Sequence, residues 1–305
     1  MQRQPEELYE LDPAISDVTG APLLIHLDGF MDAGAAGRLF TENLLENLDH
    51  ETVIRFDVDR LLDYRSRRPL MTFDADHWSA YEAPQLNVYL VEDRKAAPFL
   101  LLSGPEPDHE WELFTAAVRS IANRLGLGQA VNYLGIPAGT PHTRPLGVIG
   151  HGTRPGLVKT DQRLPDKLQV PGSVTSLIEL RFGEAGRDAI GFAVQVPHYL
   201  AQAVYPGAAV ALLEPVSEAT GLVLPDEPLR AAAGRTDTLI ARQIEESAEV
   251  ADLVRNLEQQ YDAARADSSD SLLAEGEAMP TADEIAAQFE QFLADRQRRD
   301  EPGDF

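Results

Sequence analysis

Pro22-Leu23-Leu24-Ile25-His26-Leu27-Asp28 is a strand-length apolar run between Gly20 and Gly29, and Gly29-Phe30-Met31-Asp32-Ala33-Gly34 follows it at once. A run without polar alternation suits a strand covered on both faces, which means a sheet with helices above and below. After Asp32, at the place of a helix cap, Ala35, Ala36, Leu39, Phe40, Leu44 and Leu48 recur at helical spacing. The result is a strand–loop–helix unit. Further strand-length runs stand at 52–58, 86–92, 98–103, 130–136, 146–149 and 189–194, and Trp111, Phe114, Val118, Ile121 and Leu125 give another amphipathic helix. Pro197 to Leu213 reads as helical with a break or kink at Pro206-Gly207. The alternation predicts an α/β body with a sheet between helices.

Charge separates a second region. The 305 residues carry 50 acidic and 26 basic side chains, a net of −24. From Thr236 to Phe305 there are 18 acids against six arginines, so this stretch holds half of the net charge. The expected division is an α/β domain over 1–235 and an acidic C-terminal helical hairpin with its tail over 236–305. Thr238 to Ala264 lacks Gly and Pro and carries Ile240, Ile244, Ala251, Val254, Leu257 and Tyr261 as one stripe, which predicts a single long helix. Thr281 and Glu284 form a capping box for a second helix with Ile285, Phe289, Phe292 and Leu293. The stripe packs on the chain's own body or on a second subunit.

The same composition removes whole classes of function. The acidic excess repels a phosphate backbone or an anionic membrane, so neither nucleic acid nor membrane is an expected partner. No cysteine is present, so thiolate chemistry and cysteine-bound metals are out. The start of the chain has no signal-like apolar run and no later stretch has membrane-spanning length, which predicts a cytoplasmic protein. No two of the seven histidines stand three to five residues apart with a third ligand near, so no metal is expected. Neither a Gly-x-Ser-x-Gly elbow nor a phosphate-binding Gly-rich loop ending in Lys-Ser/Thr occurs, and the only lysines are Lys95, Lys159 and Lys167. No cofactor and no catalytic residue is assigned.

Three loops at strand ends carry the candidate binding residues. Asp28, Gly29, Asp32 and Gly34 link the first strand to its helix, where ligands sit in α/β sheets, although Asp32 also suits a cap. Ser103 to Trp111, with Gly104, Glu106 and Asp108, again joins a strand to a helix, and its acids suit a helix start equally well. Pro137 to Pro145 adds His142 and Arg144 as a possible anion site. If the first two loops share an edge, Asp32, Glu106 and Asp108 should crowd one mouth.

Taken together, Leu27-Asp-Gly-Phe-Met-Asp-Ala-Gly-x-Ala-Gly37, Leu102-Ser-Gly-Pro-Glu-Pro-Asp-x-x-Trp111, Gly135-Ile-Pro-Ala-Gly-x-Pro-His-Thr-Arg-Pro145, Val196-Pro-His-Tyr-Leu200 and Tyr205-Pro-Gly-Ala-Ala209 resemble the actinobacterial branch of the proteasome assembly chaperone 2 family, over about residues 5 to 265. His198 joins the candidates through the fourth motif. The resemblance implies a three-layer α/β/α fold with a nucleoside-phosphorylase-like sheet. It also implies homo-oligomers, with a trimer first, and a non-catalytic chaperone or scaffolding role toward a proteasome-related or other protein. Relatives that dock on proteasome rings use a C-terminal hydrophobic–Tyr–any-residue tail. Gly303 and Asp304 stand at those positions here, so ring docking through such a tail is not expected. The competing reading is an enzyme with a strand-end pocket, either phosphorylase- or hydrolase-like or an ATP-dependent carboxylate–amine ligase.

Overall fold

The structure, a computed structural model, describes residues 4–158 and 167–270. Its strands are β1 (Tyr9–Leu11), β2 (Leu23–Asp28), β3 (His50–Phe56), β4 (Met71–Asp74), β5 (His77–Tyr81), β6 (Asn87–Glu92), β7 (Pro98–Pro105), β8 (Ala130–Ala138), β9 (Val148–Gly152) and β10 (Ala189–Pro197). Its α-helices are α1 (Ala36–Asn47), α2 (Val58–Leu61), α3 (Trp111–Arg124), α4 (Val174–Glu184), α5 (Pro206–Thr220), α6 (Glu227–Glu246) and α7 (Ala248–Asp270). Eight strands form one mixed sheet in the order β1-β3-β6-β7-β2-β8-β10-β9. The centre, β7-β2-β8-β10, is parallel, and the outer pairs are antiparallel.

Strand alternation splits the core in two. Leu23, Ile25 and Leu27 of β2 join Leu100 and Leu102 of β7 on the face covered by α3 and α4, with Phe114, Ile121, Ile178 and Phe182. Leu24, Leu101, Val131 and Tyr133 face the other way, toward Phe40 of α1 and Leu212 and Val216 of α5. Both faces of β2 are therefore covered, as an apolar run without alternation requires. The fold is three-layered, α/β/α, as the sequence and the resemblance predict.

Two sequence readings are corrected. The segment from 197 begins with a short 3₁₀ turn at His198–Leu200, and Pro206 starts α5 rather than breaking it, since the ring's fixed φ and missing N–H suit a first helical turn. The stretch 238–264 is not one helix. Ser247 is extended (φ −134°, ψ 108°) and separates α6 from α7, with its Oγ accepting from Val250 N at 3.4 Å as a cap. At the start of the narrow stripe, Ile240 is buried in the core and Ile244 packs against it. Position 235/236, where the composition changes, falls inside α6. The expected helix around 281–293 lies outside the described residues. The chain divides into one compact unit through Glu258 and another from Gln259, of which helical residues 259–270 are described.

Apart from the large sheet stands β4–β5, a two-stranded antiparallel hairpin in which every residue of both strands is exposed.

Candidate functional site

Because β7, β2, β8 and β10 are parallel, the loops that follow them share the carboxyl edge of the sheet. Asp28 and Pro105 are register partners at that edge, and Ala138 and Pro197 pair there too. The chain leaves β2 toward α1 on one face and β7 toward α3 on the other, so a crevice opens where the two connections part. All nine candidate residues follow from this topology onto one edge, but they fall into two groups.

The first group surrounds a crevice of about 40 Å³, with His26, Gly29, Phe30, Glu106, Ser173 and Thr175 among its walls. That is room for a water or a small ion, well below the several hundred Å³ of an organic-ligand pocket. Glu106, 7% exposed, accepts from Val174 N at 2.7 Å and so caps α4, not the α3 helix that its loop opens. Gly29 is required beside it, since a Cβ there would lie 2.4 Å from Glu106 Oε2. Gly104 (φ +145°) lets β7 pass Gln85 O, where any side chain would collide. His26, 4% exposed, is stacked on Tyr133, and its Nε2 lies 3.3 Å from Asp28 Oδ1 and 4.0 Å from Asp32 Oδ2. Burial pushes the Asp28 carboxyl up, but the hydrogen bond and charge of His26, with Arg38 and Arg67 nearby, outweigh it and hold Asp28 below the usual aspartate value. Ser173 Oγ accepts from Ser176 N and donates to Ser176 Oγ, and no hydrogen bond joins it to His26 among the described residues, so no serine–histidine pair forms.

The expected crowding of acids in one mouth does not occur. Asp32 turns inward and accepts from Gly37 N (2.9 Å), Arg38 N (3.0 Å) and Gly135 N (2.9 Å). It therefore caps α1 across a 3₁₀ turn and fastens that turn to β8. Gly34 sits in the same turn (φ +67°), donating to Ala201 O and accepting from Tyr205 N. Asp108 accepts from Asp63 N at 2.8 Å and pairs with Arg67 at 3.3 Å, while Arg67 also donates to Glu106 O. Of the three acids, only Glu106 lines the crevice.

The second group lies beyond β8 and β10. His142 N and Nδ1 stand 2.9 and 2.7 Å from Tyr199 Oη; the phenol accepts from the amide, and the tautomer of the imidazole sets the direction of the second hydrogen bond. Burial pushes His142 down against the opposing charges of Asp237 and Glu258, and pushes the Tyr199 phenol up. Arg144 pairs with Glu258 of α7 at 3.3 Å, and His198 stands edge-on to Tyr199. Arg144 is thus engaged in holding α7. Among the described residues no cluster of three or more histidine or acidic side chains could hold a metal ion, and no helix is long and apolar enough to cross a membrane.

Two features have no counterpart in the sequence reading. His26 was visible only as part of a strand, yet it lies at the crevice. The β4–β5 hairpin, with Leu70, Met71, Phe73, Trp78 and Tyr81 all more than half exposed, could have been found from Met-x-Phe, a turn at Asp74-Ala-Asp76, and Trp-x-x-Tyr. Phe30 (64% exposed) and Met31 (36%) at the crevice mouth, with Leu168 and Val170 shortly before Ser173, add apolar surface.

The family model that matches the chain is that of the PAC2 family, over residues 26–244. A Mycobacterium tuberculosis protein of unknown function is 42% identical, with 90% of this chain and 95% of that chain covered and a TM-score of 0.83. One of unknown function from Corynebacterium glutamicum is 34% identical, with 84% and 97% covered and a TM-score of 0.79. A Mycobacterium tuberculosis proteasome-assembly chaperone homologue, 23% identical over 76% of this chain and 99% of that one, shares the fold with a TM-score of 0.69. No curated protein matches. With more than two thirds of its length matched by the family model, and with actinobacterial relatives, this chain belongs to the PAC2 family.

Proposed function

We propose that this protein is a non-catalytic, chaperone-like or scaffolding protein of the cytoplasm that binds another protein through the carboxyl edge of its sheet. The observation that carries the reading is Phe30, 64% exposed above a crevice of about 40 Å³. An aromatic held in water beside a cleft too small for an organic substrate suits a protein surface better than a reacting molecule. The carboxylates around it support the same reading. Asp32, Glu106 and Asp108 are each engaged by backbone N–H groups, which leaves them structural work. A proteasome-related subunit is the partner class favoured by the solved proteasome-assembly chaperone homologue that shares the fold. The net charge of −24 argues against nucleic acid and anionic membrane surfaces.

The test is capture of partners from the organism's own extract, identified by mass spectrometry, with Phe30→Ser and Met31→Ser beside the wild type. The expected result is a proteasome-related partner that falls at least tenfold with either variant while the melting temperature holds. The enzyme reading rests on His26 and Glu106 sharing the crevice. It would replace the first if a nucleoside or nucleotide raised the melting temperature and His26→Ala or Glu106→Gln abolished that rise.

A further inference from the structure

We propose that the crevice at the carboxyl edge of the sheet receives the ε-ammonium of a lysine from the partner protein, with Glu106 as its counter-ion. The proposal rests on the partner-binding reading and gives that partner its chemistry. The cap on α4 occupies only one oxygen of Glu106. Oε1 accepts from Val174 N at 2.7 Å, whereas Oε2 has no hydrogen-bond partner among the described residues. The residue is 7% exposed, and Oε2 lies so close over Gly29, a wall of the crevice, that a Cβ there would strike it. A carboxylate oxygen taken out of bulk water and left without a donor is costly, and a cationic donor entering the crevice removes that cost. Thr175, in the first turn of α4, lines the same crevice, and its hydroxyl also makes no hydrogen bond among the described residues.

Charge and size together select the occupant. The N-terminus of α4 brings about half a positive charge to the crevice, against a full negative charge on Glu106 and another on the exposed Asp28 between two of its walls. The nearby cations are already committed. Arg67 holds Glu106 O and Asp108, and Arg38 pairs with Glu42. His26 and Asp28 face each other at 3.3 Å. The site therefore stays negative, on a chain whose charge of −24 draws basic partners in general. An ammonium is the size of a water molecule and donates three hydrogen bonds, which suits about 40 Å³ with Oε2 and the Thr175 hydroxyl as acceptors. A guanidinium spreads five donors over a rigid plane and is too large for that volume. No cluster among the described residues could hold a metal ion instead. Phe30 and Met31, exposed at the mouth, supply the apolar surface along which the four-carbon stem of a lysine lies.

The test uses n-butylammonium, the free counterpart of a lysine side chain, titrated into the full chain with isotope-labelled Met and Thr methyl groups and read by NMR. Butylguanidinium and n-butanol are run beside it. The Met31 and Thr175 signals are expected to shift saturably with butylammonium alone. Glu106→Gln should weaken that binding at least tenfold while the melting temperature holds, because the amide oxygen still accepts from Val174 N. The same variant should lower capture of the partner from extract at least tenfold. A carbodiimide added to the wild-type complex should join Glu106 to a partner lysine as an amide, identified by mass spectrometry. Absence of a saturable shift with butylammonium, or equal shifts with butylguanidinium or butanol, overturns the proposal, and neither result needs a variant that must fold. So does unchanged capture by Glu106→Gln. If Phe30→Ser releases the partner while Glu106→Gln keeps it, the partner surface stands and the lysine site falls. If butylammonium binds through Glu106 while Phe30→Ser releases nothing, the ammonium site stands and the partner surface at Phe30 falls.

Discussion

The Asp32 carboxylate accepts three backbone amides, from Gly37, Arg38 and Gly135, at 2.9–3.0 Å. A simple helix cap is worth about 1 kcal/mol, whereas each buried amide left unpaired costs about 1–3 kcal/mol. Asp32→Ala should therefore lower unfolding stability by about 2–4 kcal/mol in urea titration, and a loss near 1 kcal/mol would mean that only the cap matters. The sequence showed an acid before a helix and allowed either capping or binding. It could not show that the same carboxylate reaches Gly135, because that contact spans 103 positions and arises only when β8 lies beside β2. His26 was hidden for a related reason: its neighbours Asp28, Tyr133 and Gly37 come from different elements.

Elements with a strong apolar pattern were the legible ones. The run at 22–28 became β2, and Trp111 to Leu125 became α3, because apolar periodicity alone determines such segments. The break at Ser247 was not legible, since helical spacing continues through it and neither Gly nor Pro marks it. The loop after β8 reaches α7 through Arg144 and Glu258, and the same loop carries His142, bonded to Tyr199. That placement makes the loop sensitive to pH. Burial lowers the folded-state pKa of His142 below its ordinary 6.5, so the unfolded chain takes up the proton first. The contribution to stability is complete above about pH 6.5 and is lost as pH falls from there toward the folded-state value. Urea unfolding of the wild type should weaken between pH 7 and 5.5 by more than that of His142→Asn. Equal slopes would place the sensitivity elsewhere.

For the whole molecule, the question is how a chain of −24 meets a second copy of itself. Two electrostatic contributions oppose each other and differ in range. Repulsion between the acidic bodies acts over the full separation of the two copies, whereas attraction between ion pairs acts only where the copies touch. Raising salt from about 20 mM to about 150 mM shortens the screening length from roughly 20 Å to about 8 Å, which removes most of the first and less of the second. Apolar contact between copies is not screened at all. Self-association measured by analytical ultracentrifugation should accordingly tighten over that range. If association instead weakened steadily from the lowest salt, ion pairs rather than apolar contact would be holding the copies together.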